Sequence, residues 1–247
     1  MYSVHPLHGI PEVRKKDDIA ELIIGALGAA GESLTENDVV VVKQKIVSKA
    51  EGRVVRLETV KPSRRAVRIA GDLGKEAQLV ELILRESRRI VRMGHGVIIT
   101  ETRHGFVCAN AGIDRSNVES GHAALLPLDP DRSARRIRRS LERGAGARLS
   151  VVITDTFGRP WRNGQTDVAI GSSGIEPLQS YRGIVDAYGY TLRVTEPAIV
   201  DEIASAAELA MGKLSAVPVA IVKGLKYRRS ELGTKSMIMP REKDLFR

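Results

Sequence analysis

The chain has 247 residues and a net charge of +9, with 43% hydrophobic and 28% charged side chains, the balance of a globular protein able to bury a substantial core. No apolar run approaches the ~20 residues of a membrane span, and the N-terminal stretch MYSVHPLHGIPEVRKKDD lacks the apolar segment of a signal peptide, so a soluble, cytoplasmic protein is expected. Cys108 is the only cysteine, which excludes an internal disulfide and a CxxC zinc site.

In chain order, Asp17 opens an amphipathic helix whose apolar positions Ile19, Leu22, Ile23, Ala26 and Leu27 share one face and which stops near Gly28 to Gly31. The β-branched run DVVVVKQKIV (38–47) predicts a strand, followed by a polar segment SKAEGR. Helices are predicted over 63–71 and 76–92, the second with Leu79, Val80, Ile83, Leu84 and Ile90 inward. Strands over 96–102 and 106–114 flank a His104-Gly105 turn and suggest a hairpin. Next comes DRSARRIRRSLER (131–143), a helix with Ala134, Ile137 and Leu141 on one side and arginines on the other. The run beginning at Val151 predicts a strand that stops on Thr154, Asp155 and Thr156 ahead of a GRPWRNG loop. A strand over 166–174, a helix over 197–213 with Pro197 in its first turn, a strand over 217–224 and a basic tail complete the chain. Helices alternate with strands that include hairpin-like pairs, so the fold class is α/β (mixed α+β) with a mixed sheet. Residues 1–247 read as a single unit of two intimate lobes at most, with a smaller lobe around 55–95 or 170–195.

The positive charge calls for an anionic partner. A G-x-x-x-x-G-K-[ST] loop is absent, and GALGAAG (25–31) follows a helix rather than a strand, which makes it a helix stop and not a dinucleotide loop. His5, His8, His95, His104 and His122 show no metal-ligand spacing. GSSG is not a nucleophile elbow, and Cys108 lies in a β-branched run where burial keeps it inert. The arginines of 131–143 have no interleaved aromatics, so a surface for single-stranded nucleic acid is poorly supported.

Oxygen ligands remain. NAGIDRSN (110–117) places Asp114 in a polar stretch leaving a strand, where an Asp alone is an ordinary turn residue. Joined with Asp155 and Thr156 at another strand end, it makes a hard-metal site feasible, of the kind that holds magnesium or manganese with nucleotide phosphates. Lys45, Lys49, Lys213, Arg159 and Arg162 lie at or near element ends, where each could be a surface charge or part of a phosphate clamp. Spacing alone stops at a metal-dependent, phosphate-handling enzyme.

Eight collinear stretches go further: SKAEGR (48–53), NAGIDRSN (110–117), LLPLDPDRSA (125–134), ITDTFGRPWRNG (153–164), AIGSSG (169–174), DAYG (186–189), DEIASAAELAMGK (201–213) and VKGL (222–225). With these the chain resembles the coenzyme F420:L-glutamate ligases, GTP-dependent enzymes that add γ-linked glutamates to the deazaflavin F420-0. The resemblance implies a homodimer of that family's mixed α/β fold that binds GTP, L-glutamate and F420-0. It implies magnesium or manganese, with potassium as a further candidate cation. By position, Asp114, Asp155 and Thr156 match metal ligands, and Asp155, Asp114, Lys49, Arg159 and Arg162 are the catalytic candidates. Nucleotide contacts fall on Ile10, Pro11, Glu12, Val13, Gln44, Lys45, Lys49 and Asn117, and on Met211, Gly212, Lys213, Leu214, Ser215, Ala216 and Val217.

Some archaeal members carry an acidic metal-binding residue where Lys213 stands, which makes Lys213 a candidate for neutralising phosphate instead. Some bacterial members fuse a nitroreductase-like domain; the sequence stops at EKDLFR, so neither that domain nor FMN is expected, and a separate partner could supply that step. The implied reaction is a GTP-dependent ligation through an acyl phosphate. The alternatives are a related nucleotide- and metal-dependent amide ligase or kinase on another anionic substrate and, remotely, a basic nucleic-acid-binding module.

Overall fold

The computed structural model describes residues 1–245. Its elements are β1 (Ser3–Pro6), α1 (Ile19–Ala29), β2 (Val39–Lys43), α2 (Gln44–Ala50), β3 (Val54–Arg56), α3 (Arg64–Leu73), α4 (Ala77–Glu86), β4 (Ser87–Gly94), β5 (Val97–Thr102), β6 (Val107–Ala109) and β7 (His122–Ala124). There follow α5 (Pro130–Ala145), β8 (Ser150–Arg159), β9 (Arg162–Ser173), α6 (Ile199–Met211) and β10 (Val219–Lys223), with short 3-10 turns between several of them.

The four valines Val39–Val42 are all fully buried, which only a strand covered on both faces allows. Accordingly β2 is the centre of a five-stranded sheet in the order β1-β10-β2-β8-β9. It runs parallel to β8, pairing Val39 with Ser150 and Lys43 with Thr154, while its other neighbour β10 and the pair β8–β9 are antiparallel. The mixed α/β reading therefore holds. Because side chains alternate across a strand, Val40, Val42, Val151 and Ile153 pack with Ile19, Ile23 and Leu27 of α1 and Ala134, Ile137 and Leu141 of α5. Val39, Val41 and Val152 pack on the other face with Val200, Ile203, Ala207 and Met211 of α6.

Between α2 and α5 the chain builds further structure of its own. Strands β4, β5 and β6 form a three-stranded antiparallel sheet, and Ala66, Ile69, Val80, Ile83 and Ile98 join α3, α4 and β5 in a separate core. Strands β3 and β7 form a two-stranded ribbon beside it.

Several boundaries differ from expectation. The strand predicted over 38–47 ends at Lys43, and Gln44–Ala50 is a helix, because Ile46, Val47 and Ala50 recur at helical spacing and are buried on one face. The helix predicted over 76–92 stops at Glu86, where Ser87 Oγ donates to the Ile83 carbonyl, and Ile90 belongs to β4 opposite Thr100. The strand predicted over 106–114 shortens to β6, after which Asn110 and Ala111 take positive φ in a 3-10 turn. Strand β8 does not stop at Asp155 but continues to Arg159 and returns through a hairpin into β9. The N-cap of α1 is Asp18, whose Oδ1 accepts the Ala20 amide at 2.8 Å.

Two of the collinear stretches serve the frame. Asp131, in the first turn of α5, is buried and accepts backbone amides from Ser172 (2.9 Å), Thr234 (2.8 Å) and Lys235 (3.2 Å), tying α5 to β9 and the C-terminal segment. Gly171 lets β9 approach α5 closely, since a Cβ there would lie 2.5 Å from the Pro130 carbonyl. Part of the basic character of α5 is engaged in ion pairs: Arg135 and the buried Arg138 pair with Glu231, and Arg136 with Glu51. Among the described residues no helix is long and apolar enough to cross a membrane.

Candidate functional site

The parallel pair β2–β8 ends at Lys43 and Thr154, and ligands of α/β sheets gather beyond the carboxyl ends of such strands. A cavity of about 670 Å³ opens there, within the range of small-molecule sites. Its wall comes from the 10–13 segment, the β2–α2 junction, the stretch after Asp114, the β8–β9 pair and the 212–218 loop.

Most of the sequence candidates converge on it. Ile10, Pro11, Glu12, Val13, Gln44, Lys45, Lys49, Asp114, Asn117, Asp155, Thr156, Gly212, Lys213, Leu214, Ala216 and Val217 all line the cavity. Met211 and Ser215 do not. Met211 is fully buried in the core under α6, and Ser215 Oγ donates to its carbonyl. Arg159 and Arg162 also lie outside the lining, near the tip of the β8–β9 hairpin, where Arg159 donates to the Asn163 carbonyl at 2.9 Å.

The turn from strand to helix at Gln44 sets the lysines. Lys43, still in β2, pairs with Glu208 Oε2 of α6 at 3.0 Å and donates to the Gly212 carbonyl at 2.5 Å. Lys45 and Lys49, four residues apart on α2, share a helix face. Lys45 donates to Asp114 Oδ2 at 2.6 Å and to Ser116, while Lys49 donates to Glu12 Oε1 at 2.6 Å. Gln44 is buried and its Oε1 accepts from Ser48 Oγ at 2.8 Å, so it fixes the first turn of α2.

Asp114 is held by backbone bonds to Ala124 on both sides. Burial pushes its carboxyl up, but Lys45 and the Ser116 amide and hydroxyl outweigh that and hold it below the usual range. It uses three of about four acceptor positions. Asp155 is the opposite case: burial, reinforced by the charges of Asp167 and Asp114, pushes its carboxyl up to about 7 against the Thr156 amide. Each lysine of the wall has a carboxylate partner, whereas among the described residues Asp155 has no ion pair.

Asp167 was not among the sequence candidates. It is 2% exposed, stands opposite Thr156 in the β8–β9 register, and accepts from Thr156 Oγ1 (2.6 Å), Thr154 Oγ1 (3.3 Å) and Lys213 Nζ (3.0 Å). The available signal was an aspartate opening the apolar run TDVAIGSSG, which becomes informative only with the register of its partner strand. Strand alternation puts Asp155 on the face of Ile153, toward α2, and Thr156 and Asp167 on the face of α6.

Among the described residues no three His, Cys, Asp or Glu side chains gather as a ready-made metal cage. An unpaired, desolvated carboxylate beside a second one with a spare acceptor position does fit a hard, oxygen-preferring cation between Asp155 and Asp114.

The profile of the F420-0:gamma-glutamyl ligase family matches residues 9–224, a span that includes every residue lining the cavity. The chain belongs to the F420-0:gamma-glutamyl ligase family. It is 49% identical over 248 aligned positions to the coenzyme F420:L-glutamate ligase of Methanothermobacter thermautotrophicus, covering 99% of this chain and 98% of that one. The coenzyme F420:L-glutamate ligases of Methanopyrus kandleri and Methanocaldococcus jannaschii are 45% and 41% identical, covering 96% and 87% of this chain and 94% and 86% of theirs. In this member of the family the cavity lies where the β2–β8 pairing ends, and Lys43, Lys45, Lys49 and Lys213 line it.

Proposed function

We propose that this chain joins L-glutamate to coenzyme F420-0 through γ-linked amide bonds, converting GTP to GDP and phosphate in the cavity where the pairing of β2 with β8 ends. Family membership supports the ligase reaction. The observation that carries the nucleotide part is that Lys43, Lys45, Lys49 and Lys213 line the same cavity as Asp114 and Asp155. Such a wall suits a polyphosphate, because in phosphoryl transfer a protein chiefly positions the reactants and neutralises charge.

In this reading a carboxylate oxygen of F420-0 attacks the γ-phosphorus, the bond to the β–γ bridging oxygen breaks, and GDP leaves with that electron pair. The amine of glutamate then attacks the acyl carbon, the acyl carbon–oxygen bond breaks, and phosphate leaves with the electron pair while the surplus amine proton passes to solvent. Lys49, paired with the exposed Glu12, can exchange that partner for a phosphate oxygen. Lys45 keeps Asp114 ionised. Asp114 and Asp155 would hold magnesium or manganese, which supplies charge neutralisation at the phosphate oxygens. Arg159 and Arg162 lie outside the lining, so the phosphates fall to the lysines. A cytoplasmic homodimer belongs to the same reading; the exposed Ile184, Val185, Tyr188, Tyr190 and Val194 offer an apolar surface for a second copy.

Incubation with F420-0, L-glutamate, GTP and manganese, followed by mass spectrometry, tests the reading. A series of products spaced by one glutamate residue is expected, dependent on GTP. An unmodified acceptor under these conditions would overturn the proposal.

A further inference from the structure

The two faces of the sheet end differ in what already fills them. On the α6 face the Lys213 ammonium lies 2.6 Å from Thr156 Oγ1, 3.0 Å from Asp167 Oδ1 and 2.8 Å from Glu208 Oε1. These are hard oxygens from β8, β9 and α6, and they match the three donors of an ammonium one for one. Thr156 is suited to this position: its single proton goes to Asp167 at 2.6 Å, which leaves its lone pairs for Lys213. The second oxygen of Glu208 faces Lys43 at 3.0 Å. Lys43 and Lys213 thus balance Asp167 and Glu208, and this face is neutral without any added ion. Gly212, with φ +61, ends α6 and delivers Lys213 directly to this position.

The α2 face is not balanced. Lys49 there is matched by Glu12 and Lys45 by Asp114, which leaves Asp155 with no ion pair among the described residues. We propose that Lys213 is a tethered cation that fills the Thr156, Asp167 and Glu208 oxygen set, so that the chain takes up one divalent ion, on Asp114 and Asp155, and supplies the second positive charge of the site from its own side chain. This rests on the metal-dependent reading given above and assigns Thr156 to the lysine rather than to a metal.

Titration of the metal-stripped full-length chain with manganese alone, followed by electron paramagnetic resonance of the free ion, tests it. Wild type and Lys213→Arg are expected to bind one ion per chain, Lys213→Gln two, and Asp155→Asn none. Two ions on wild type, or one on a Lys213→Gln protein that still melts cooperatively, would overturn the inference while leaving metal dependence standing. Retention of an ion by Asp155→Asn, which keeps Lys213, overturns it independently of how Lys213→Gln folds. No binding by any of the four proteins removes the metal-dependent reading together with the inference.

Discussion

Thr156 and Asp167 face each other across β8 and β9, and Thr156 Oγ1 donates a 2.6 Å hydrogen bond to a carboxylate that is 2% exposed. Removing that donor leaves a buried acceptor short of a partner. Thr156→Val should lower stability by about 1–3 kcal/mol in urea unfolding, and Thr156→Ser should restore most of the loss. Equal stabilities of the Val variant and wild type would show that the hydroxyl carries no structural weight.

Asp155 should set the pH dependence of the metal-free protein. Its folded carboxyl is raised to about 7 from 3.8, so the folded state holds the proton more tightly than the unfolded one. The associated stability is complete below about pH 4, is lost as pH rises through 7, and amounts to a few kcal/mol in order of magnitude. Asp155→Asn cannot ionise and should melt higher than wild type at pH 7.5 without metal, yet lose turnover. Parallel melting profiles from pH 4 to 8 for the two proteins would contradict this.

Lys49→Ala should separate binding from folding. Glu12, its partner, is 75% exposed, so the pair adds less than about 1 kcal/mol to stability. Loss of the ammonium should weaken GTP binding by about tenfold, or ~1.4 kcal/mol, in isothermal titration. Unchanged affinity would remove Lys49 from the nucleotide site.

Cys108 should resist modification. Burial first, and then the charge of Asp155, pushes its thiol up to about 12. Iodoacetamide at pH 8 should label the denatured chain and leave the native one unlabelled by mass spectrometry.

Asp131→Ala should be among the most damaging changes away from the cavity. It strands the backbone amides of Ser172, Thr234 and Lys235, and a loss of about 3 kcal/mol or more is expected in urea unfolding.

Periodicity located the central sheet well. Val39–Val42, the α5 stripe of Ala134, Ile137 and Leu141, and the run from Val151 were all readable, because burial on one or two faces leaves a plain apolar pattern. It failed where two patterns abut without a glycine or proline between them. At Lys43-Gln44 a buried strand passes straight into a helix, and at Glu86-Ser87 a helix passes straight into a strand, so the apolar positions ran on through both boundaries. In the site, Asp114, Asp155 and Thr156 were readable as polar oxygens next to apolar runs, and all three line the cavity, although Asp155 and Thr156 lie within β8 and not at its end. Asp167 was not, because its importance comes from standing opposite Thr156, which is a property of the pairing and not of either strand.

The abrupt passage from β2 into α2 reaches beyond topology. Lys43 leaves the strand toward α6 and meets Glu208, while Lys45, two residues later, is swung by the helix toward Asp114. One backbone bend therefore sends two lysines, a single residue apart, to carboxylates on opposite faces of the sheet. The hydrogen-bonded partners of the two faces are separate, yet the charge of Asp167 still reaches Asp155 across the strand, so a substitution that alters charge on the α6 face also retunes the carboxylate on the α2 face.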